Sequence, residues 1–454
     1  MVQPRTLLLR DAAVIATMDD ARTEIAGGSV LIRDRVVEAV GPAALLPSTA
    51  DEVIDCRGKV LVPGLVNTHH HFFQTLTRAV PAAQDADLFG WLRTLYPMWQ
   101  RLTPEMLRVS ASTALAELAL SGCTTTSDHL YLFPNGGRLD DTIEAAHEIG
   151  LRFHACRGAM TVGESQGGLP PDTLVEREDD ALRDMRRVIE TFHDPAPLSM
   201  LRIACAPCSP FSVSPAFMRE TAALARSYHV GLHTHLAENG DDVAYTREKF
   251  GCTPAQYAHD AGWTGAEVWH AHCVKLDDDG IRLFGRTGTG VAHCPTSNMR
   301  LASGMAPVRR MRDAGVKVAL GVDGSASNDS SHLLAEARQA LLLARVNAQA
   351  GALDAREALW IATRGGAAVL GRDDIGALVP GMAADVVAFD LDDIGFAGAS
   401  HDPLAALLFC APARAWLSIV DGRTIVRDGH LATLDVRALR TVHDQLARRL
   451  ARHE

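Results

Sequence analysis

The chain has 454 residues, 47% of them apolar and 22% charged, and a formal net charge of −11. That length suits one large catalytic domain with a smaller companion, in a protein of ordinary globular composition. No apolar run approaches the roughly 20 residues of a membrane span, and the acidic balance argues against a nucleic-acid partner, which calls for a basic face.

The N-terminal stretch carries an apolar run, Leu7-Leu8-Leu9, that Arg10 and Asp11 interrupt. No small-residue cleavage site follows, so it does not read as a signal peptide, and the expected compartment is the cytoplasm. Nine scattered cysteines, an odd number, fit a reducing compartment better than a disulfide framework. The C-x-x-C at Cys205–Cys208 has no second pair to complete a zinc ribbon, so these read as buried structural cysteines.

Residues 5–60 read as short strands, with turn chemistry at Gly27-Gly28 and at Arg33-Asp34-Arg35. The segments 384–392 and 415–430 read the same way, and Asp421-Gly422 is a hairpin turn. The two separated pieces are expected to share one small sheet domain. Between them, apolar strands alternate with helical patterns. Thr103-Pro104-Glu105 caps one helix, which runs to Gly122.

Strands are expected at 59–69, 123–129, 151–158, 201–207, 230–238, 267–274, 289–295 and 317–324. Eight β/α units predict an α/β fold, a (β/α)8 TIM-type barrel. The expected boundaries are 1–60 and 375–435 for the two sheet pieces and 61–374 for the barrel. An amphipathic helix closes the chain within 436–454, with Val436, Leu439, Val442, Leu446 and Leu450 on one face.

Chemistry clusters at the strand ends, where barrel enzymes place their active sites. In a strand, His69 and His71 share a face and His70 points away. His233 with His235, and His270 with His272, repeat the pattern, His235 opens an H-x-x-E that ends in Glu238, and Asp323 ends the last strand. Nitrogen and carboxylate ligands from different strands suit Zn2+, and Fe2+ also fits. A zinc ion brings the pKa of water down to about 7. One carboxylate can then orient and deprotonate that water while another delivers a proton. Asp323 and Glu238 suit these roles.

The segments PGLVNTHHH, HTHLAE, HAHCV and LGVDGSASND resemble the amidohydrolase superfamily, in its deaminase and chlorohydrolase branch. The resemblance spans about residues 5–435. It implies a β-sandwich built from both termini beside the barrel, and metal ligands His69, His71, His235 and Asp323. It also implies a proton shuttle at Glu238, and His272 against the attacking water and the tetrahedral intermediate. The binuclear relatives carry a carboxylated lysine on strand four; LRIACAP has none, so one Zn2+ per chain is implied.

Loop stretches such as NTHHHFFQTLTRA, LSGCTTTSDHLYLFP and CPTSNMRLASG are similar to the aminopurine deaminases of that branch. They imply a small-molecule aminopurine substrate, 8-oxoguanine, with guanine, isoxanthopterin and hydroxylated s-triazines as the alternatives. A homo-oligomer is common among such proteins. For substrate contacts, Gln74 can hydrogen-bond the ring or support the site from behind. Trp91 can pack against the ring or belong to the loop core. Arg157 can meet a carbonyl oxygen with its forked donors or pair with a structural carboxylate. His129 is either a further contact or a satisfied structural histidine.

Overall fold

The structure is a computed structural model that describes residues 5–410 and 413–452. Residues 1–4 and 453–454, at the edges of the first and last expected segments, lie outside the described residues. Eight parallel strands close a barrel. In chain order these are β1 (Leu65–Asn67), β2 (Cys123–Leu130), β3 (Arg152–Ala159), β4 (Leu201–Pro207), β5 (Gly231–Leu236), β6 (Val268–His272), β7 (Gly290–His293) and β8 (Lys317–Leu320). Each pairs with its sequence neighbour, and β8 returns to β1 through Leu320 and Asn67. The strands are almost wholly buried, as expected when helices cover a parallel sheet.

The first expected strand is two strands. Lys59–Pro63 pairs antiparallel with Val386–Asp390 in the small domain, and only Leu65–Asn67 enters the barrel. Gly64 makes the junction, because a Cβ there would lie 1.9 Å from Thr124 Oγ1. The apolar run looked continuous because both halves are buried, one in each domain.

The small domain unites strands from both ends of the chain in one nine-stranded sheet folded over its own core, with Leu9, Ile32, Leu61, Val386 and Ile419 inside. Asp421 and Gly422 form the hairpin turn, both with positive φ (53° and 74°), as a type I′ turn requires. Gly27-Gly28 is not a turn. It lies within the strand Glu24–Arg33, opposite an irregularity in Thr6–Ala16; the reversal between these two strands is at Met18–Arg22, and the expected turn at Asp34 joins the next pair.

Thr103 caps Pro104–Leu120 by accepting from the Met106 amide, and Gly122 with φ 94° ends the turn beyond it. The last helix, Val436–Ala451, buries Leu446, Leu450 and His443, whereas Val436 and Val442 are exposed. Its docked stripe is thus rotated from the apolar one: His443 Nε2 meets Thr75 Oγ1 at 3.0 Å beneath the loop that follows β1.

Candidate active site

The C-terminal ends of the barrel strands bring the expected ligands together. His69 and His71 follow β1, His235 is in β5, and Asp323 follows β8. Backbone bonds fix their positions: Thr68 N donates to Leu320 O, and Asp323 N to His69 O. Asp323 and His272 both have left-handed backbones, with φ 62° and 71°. Non-glycine residues in that region are strained, and such strain concentrates at functional sites.

The hydrogen bonds define the imidazole tautomers. His71 Nδ1 donates to His129 O at 2.7 Å, and His235 Nδ1 donates to Cys208 O at 2.6 Å. His233 Nδ1 donates to Trp269 O at 2.9 Å, so its Nε2 accepts from His69 Nδ1 at 2.8 Å. All three ligand candidates therefore present a bare Nε2 to one point. His71 Nε2 and His235 Nε2 are 3.0 Å apart. Asp323 Oδ1 lies 3.3 Å from His69 Nε2 and 3.4 Å from His71 Nε2. The His69 Nε2 atom is buried without a hydrogen-bond partner. Convergent lone pairs with a carboxylate among them fit a divalent cation, and three nitrogens with one oxygen suit zinc.

Burial lowers the pKa of His69, His71 and His235, and repulsion from neighbouring imidazoles, His272 among them, adds to the effect. They stay neutral, as ligands must be. Burial alone would raise Asp323, but the imidazoles around it, His272 with its raised pKa among them, hold its carboxyl well below the ordinary value. Ser297 Oγ donates to its Oδ2 at 2.6 Å and Gly324 N to its Oδ1 at 2.7 Å.

Glu238 sits across the cluster, 4% exposed. Burial pushes its carboxyl up to about 7, with Asp323 and Asp242 adding to the rise and His272 opposing it. Its Oε2 lies 3.5 Å from His272 Nε2, and the same nitrogen is 3.9 Å from Asp323 Oδ2. His272 Nδ1 donates to Asn298 Oδ1 at 2.9 Å. Burial disfavours the His272 imidazolium, but the carboxylates of Glu238 and Asp323 outweigh it and raise its pKa.

Gln74 and Trp91 both line the pocket over this centre, with Tyr96, Tyr131 and Phe211. Gln74 Oε1 accepts weakly from Ala326 N at 3.4 Å, and Trp91 Nε1 donates to Ala326 O at 2.9 Å. The free space is about 40 Å³, room for little more than one or two waters at about 30 Å³ each.

Arg157 is the exception among the expected contacts. It does not line this pocket. Its guanidinium is bonded to Glu176 at 2.7 Å and Asp184 at 2.8 Å, and lies over the Phe133 ring. The structural alternative describes it, because two carboxylates already satisfy its fork.

His129 lies with His69, His71 and His235 in one group whose ligand atoms fall within 4.8 Å of one another. Its Nε2 donates to Ala206 O at 2.7 Å, while Nδ1 has no partner. His233 was legible only as a strand neighbour of His235; its bond to His69 crosses the barrel. Ser297, Asn298 and Tyr131 carry no sequence signal beyond their place in the loop stretches quoted above.

The amidohydrolase family model matches residues 60–425. An 8-oxoguanine deaminase of Pseudomonas aeruginosa is 47% identical, over 92% of this chain and 94% of its own length. An isoxanthopterin deaminase from an unknown prokaryotic organism is 36% identical, over 99% and 98%. Among solved structures, the atrazine chlorohydrolase TrzN of Arthrobacter aurescens TC1, complexed with zinc, matches with a TM-score of 0.93 at 34% identity, covering 97% of this chain and 100% of its own. The chain belongs to the amidohydrolase family, in its branch of deaminases and chlorohydrolases, and is a hydrolase that acts on C–N bonds.

Proposed function

We propose that this protein hydrolyses 8-oxoguanine to urate and ammonia with one zinc ion held by His69, His71, His235 and Asp323. The observation that carries the reaction class is the placement of Glu238 and Asp323 on either side of His272 Nε2, at 3.5 and 3.9 Å. This provides a proton donor, a proton acceptor and a charge-stabilising imidazole around one point. The 47% identity to an 8-oxoguanine deaminase supports the substrate. The 36% identity to an isoxanthopterin deaminase keeps pterins as the second reading.

When bound, the ion supplies Lewis acidity that makes water acidic enough to be a nucleophile near neutral pH. The protein does the rest. Asp323, held ionised, accepts the proton of the attacking water. Oxygen adds to C2 of the purine, the carbon bearing the exocyclic amine. Glu238, poised near neutrality, gives its proton to the adjacent ring nitrogen, so the electron pair pushed from the C=N bond is neutralised as it forms. His272, fixed by Asn298, donates from Nε2 to the added oxygen. The proton taken by Asp323 passes to the amine, the C2–N bond breaks and ammonia leaves, while the remaining hydroxyl proton of the added oxygen passes to the Glu238 carboxylate, which restores the acid and leaves the carbonyl of urate.

Gln74 supplies an amide at the rim for the polar edge of the ring, and Trp91, its N–H committed to Ala326, supplies an apolar wall. The ionisable groups of the site are almost wholly buried, which strengthens each of these interactions. The direct test is stoichiometry: zinc-loaded protein should release one ammonia and one urate for each 8-oxoguanine consumed. Ammonia without urate would refute the substrate assignment and leave the reaction class standing.

A further inference from the structure

We propose a second binding site, for a phosphate-like oxyanion, at the opposite end of the barrel bore. His154 of β3 and Arg202 of β4 are register partners. Strand alternation puts them on the same face as Cys156, Ala204 and Ala206, which form an apolar cluster with Trp269 inside the bore. Both side chains therefore enter the bore below that layer. A cavity of about 260 Å³ opens there, lined among others by His154, His193, Arg202, Glu267 and Trp269.

The basic and imidazole groups on this cavity have no carboxylate in direct contact among the described residues. His154 is 4% exposed, and its Nε2 is buried with no hydrogen-bond partner among the described residues. His193 Nδ1 accepts from Ile203 N at 3.1 Å, which leaves the proton of its neutral ring on Nε2. Arg202 reaches only neutral oxygens, Ser199 Oγ at 3.2 Å and Gly371 O at 3.5 Å. Among the described residues it forms no ion pair.

Asp374, Asp373 and Asp194 act on Arg202 only from beyond ion-pair distance, and the other neighbouring charges are paired. Arg152 pairs with Asp385 at 3.1 Å, and Arg372 pairs with Asp374 at 2.7 Å. Glu267, the carboxylate on the cavity wall, is bonded to Arg226 at 2.9 Å. Asp194 accepts from the Ala196 amide at 2.9 Å. A half-buried guanidinium beside another arginine, with no carboxylate in direct contact, is incompletely compensated. A tetrahedral oxyanion meets the Arg202 fork with two oxygens and takes the imidazole N–H groups with the others.

The test uses full-length, zinc-loaded protein and inorganic phosphate as the probe, replacing chloride at constant ionic strength. Thermal midpoints and calorimetric titration should show saturable binding that stabilises the fold. Arg202→Gln should need at least ~10-fold more phosphate, the loss of one charge-assisted pair. His193→Ala, at the more exposed edge, should weaken binding in the same direction. Both variants should keep wild-type kcat/KM, because the catalytic centre lies at the other end of the bore. No saturable response in the wild type, or equal responses in the wild type and both variants, overturns the site. Phosphate held at the metal centre would give that second result.

Discussion

His71 and His235 meet Nε2 to Nε2 at 3.0 Å, and each has already given its Nδ1 proton to a carbonyl. Two lone pairs at that separation repel unless a cation draws them together. Chelator treatment should therefore lower the thermal midpoint, and zinc should restore it. His233→Ala, which removes the acceptor for His69 Nδ1, should weaken zinc binding by about 10–100-fold with the fold intact. Competition against a zinc chelator measures this, and unchanged affinity would refute the tautomer assignment.

In the proposed mechanism Glu238 is the acid, so it must carry its proton. With its carboxyl pushed up to about 7, the protonated form dominates below that pH and is lost above it. The kcat/KM profile should fall as pH rises through about 7. Glu238→Gln should erase this limb and cut turnover by about 10²–10⁴-fold with metal content unchanged. Turnover close to wild type in that variant would remove Glu238 from the mechanism.

Arg157 is structural. Its side chain is 2% exposed and bridges Glu176 and Asp184, which are 22% and 26% exposed. Arg157→Met should destabilise the fold by about 3 kcal/mol, the low end for breaking a buried pair, since both carboxylates regain some water. Urea unfolding measures the loss. KM at a temperature where the variant is folded should not change.

Gly324 keeps Gln74 in place: a Cβ there would lie 1.8 Å from Gln74 Oε1. Gly324→Ala must therefore push the amide off the pocket rim. KM should rise roughly fivefold, the worth of one hydrogen bond of about 1 kcal/mol, with zinc content retained. An unchanged KM would show that Gln74 does not touch the substrate.

The barrel was legible from short apolar runs ending in polar chemistry, and His233 with His235 share a face as HxH predicts; His270 with His272 do not, since His270 turns to Trp263 O and the Phe284 ring while the left-handed backbone at His272 swings only that ring into the site. The division at Gly64 was not legible, since a strand leaving one buried sheet for another stays apolar throughout. The face of the final helix was misread because a histidine, His443, takes a buried position through its bond to Thr75. Arg157 and Gln74 looked equivalent in sequence. Their fates differ because Glu176 and Asp184, 19 and 27 residues beyond Arg157, fold back onto its guanidinium. The bond from His233 to His69 joins residues 164 apart, and only closure of the barrel brings them together.

The most direct test of the central claim is a comparison of kcat/KM for ammonia release by the zinc-loaded protein from 8-oxoguanine, guanine, isoxanthopterin and a hydroxylated s-triazine under one set of conditions. The expected result is the highest value for 8-oxoguanine, with loss of activity on chelation and recovery with zinc. A higher value for any of the other three would contradict the substrate assignment, and activity that survives complete metal removal would contradict the mechanism itself.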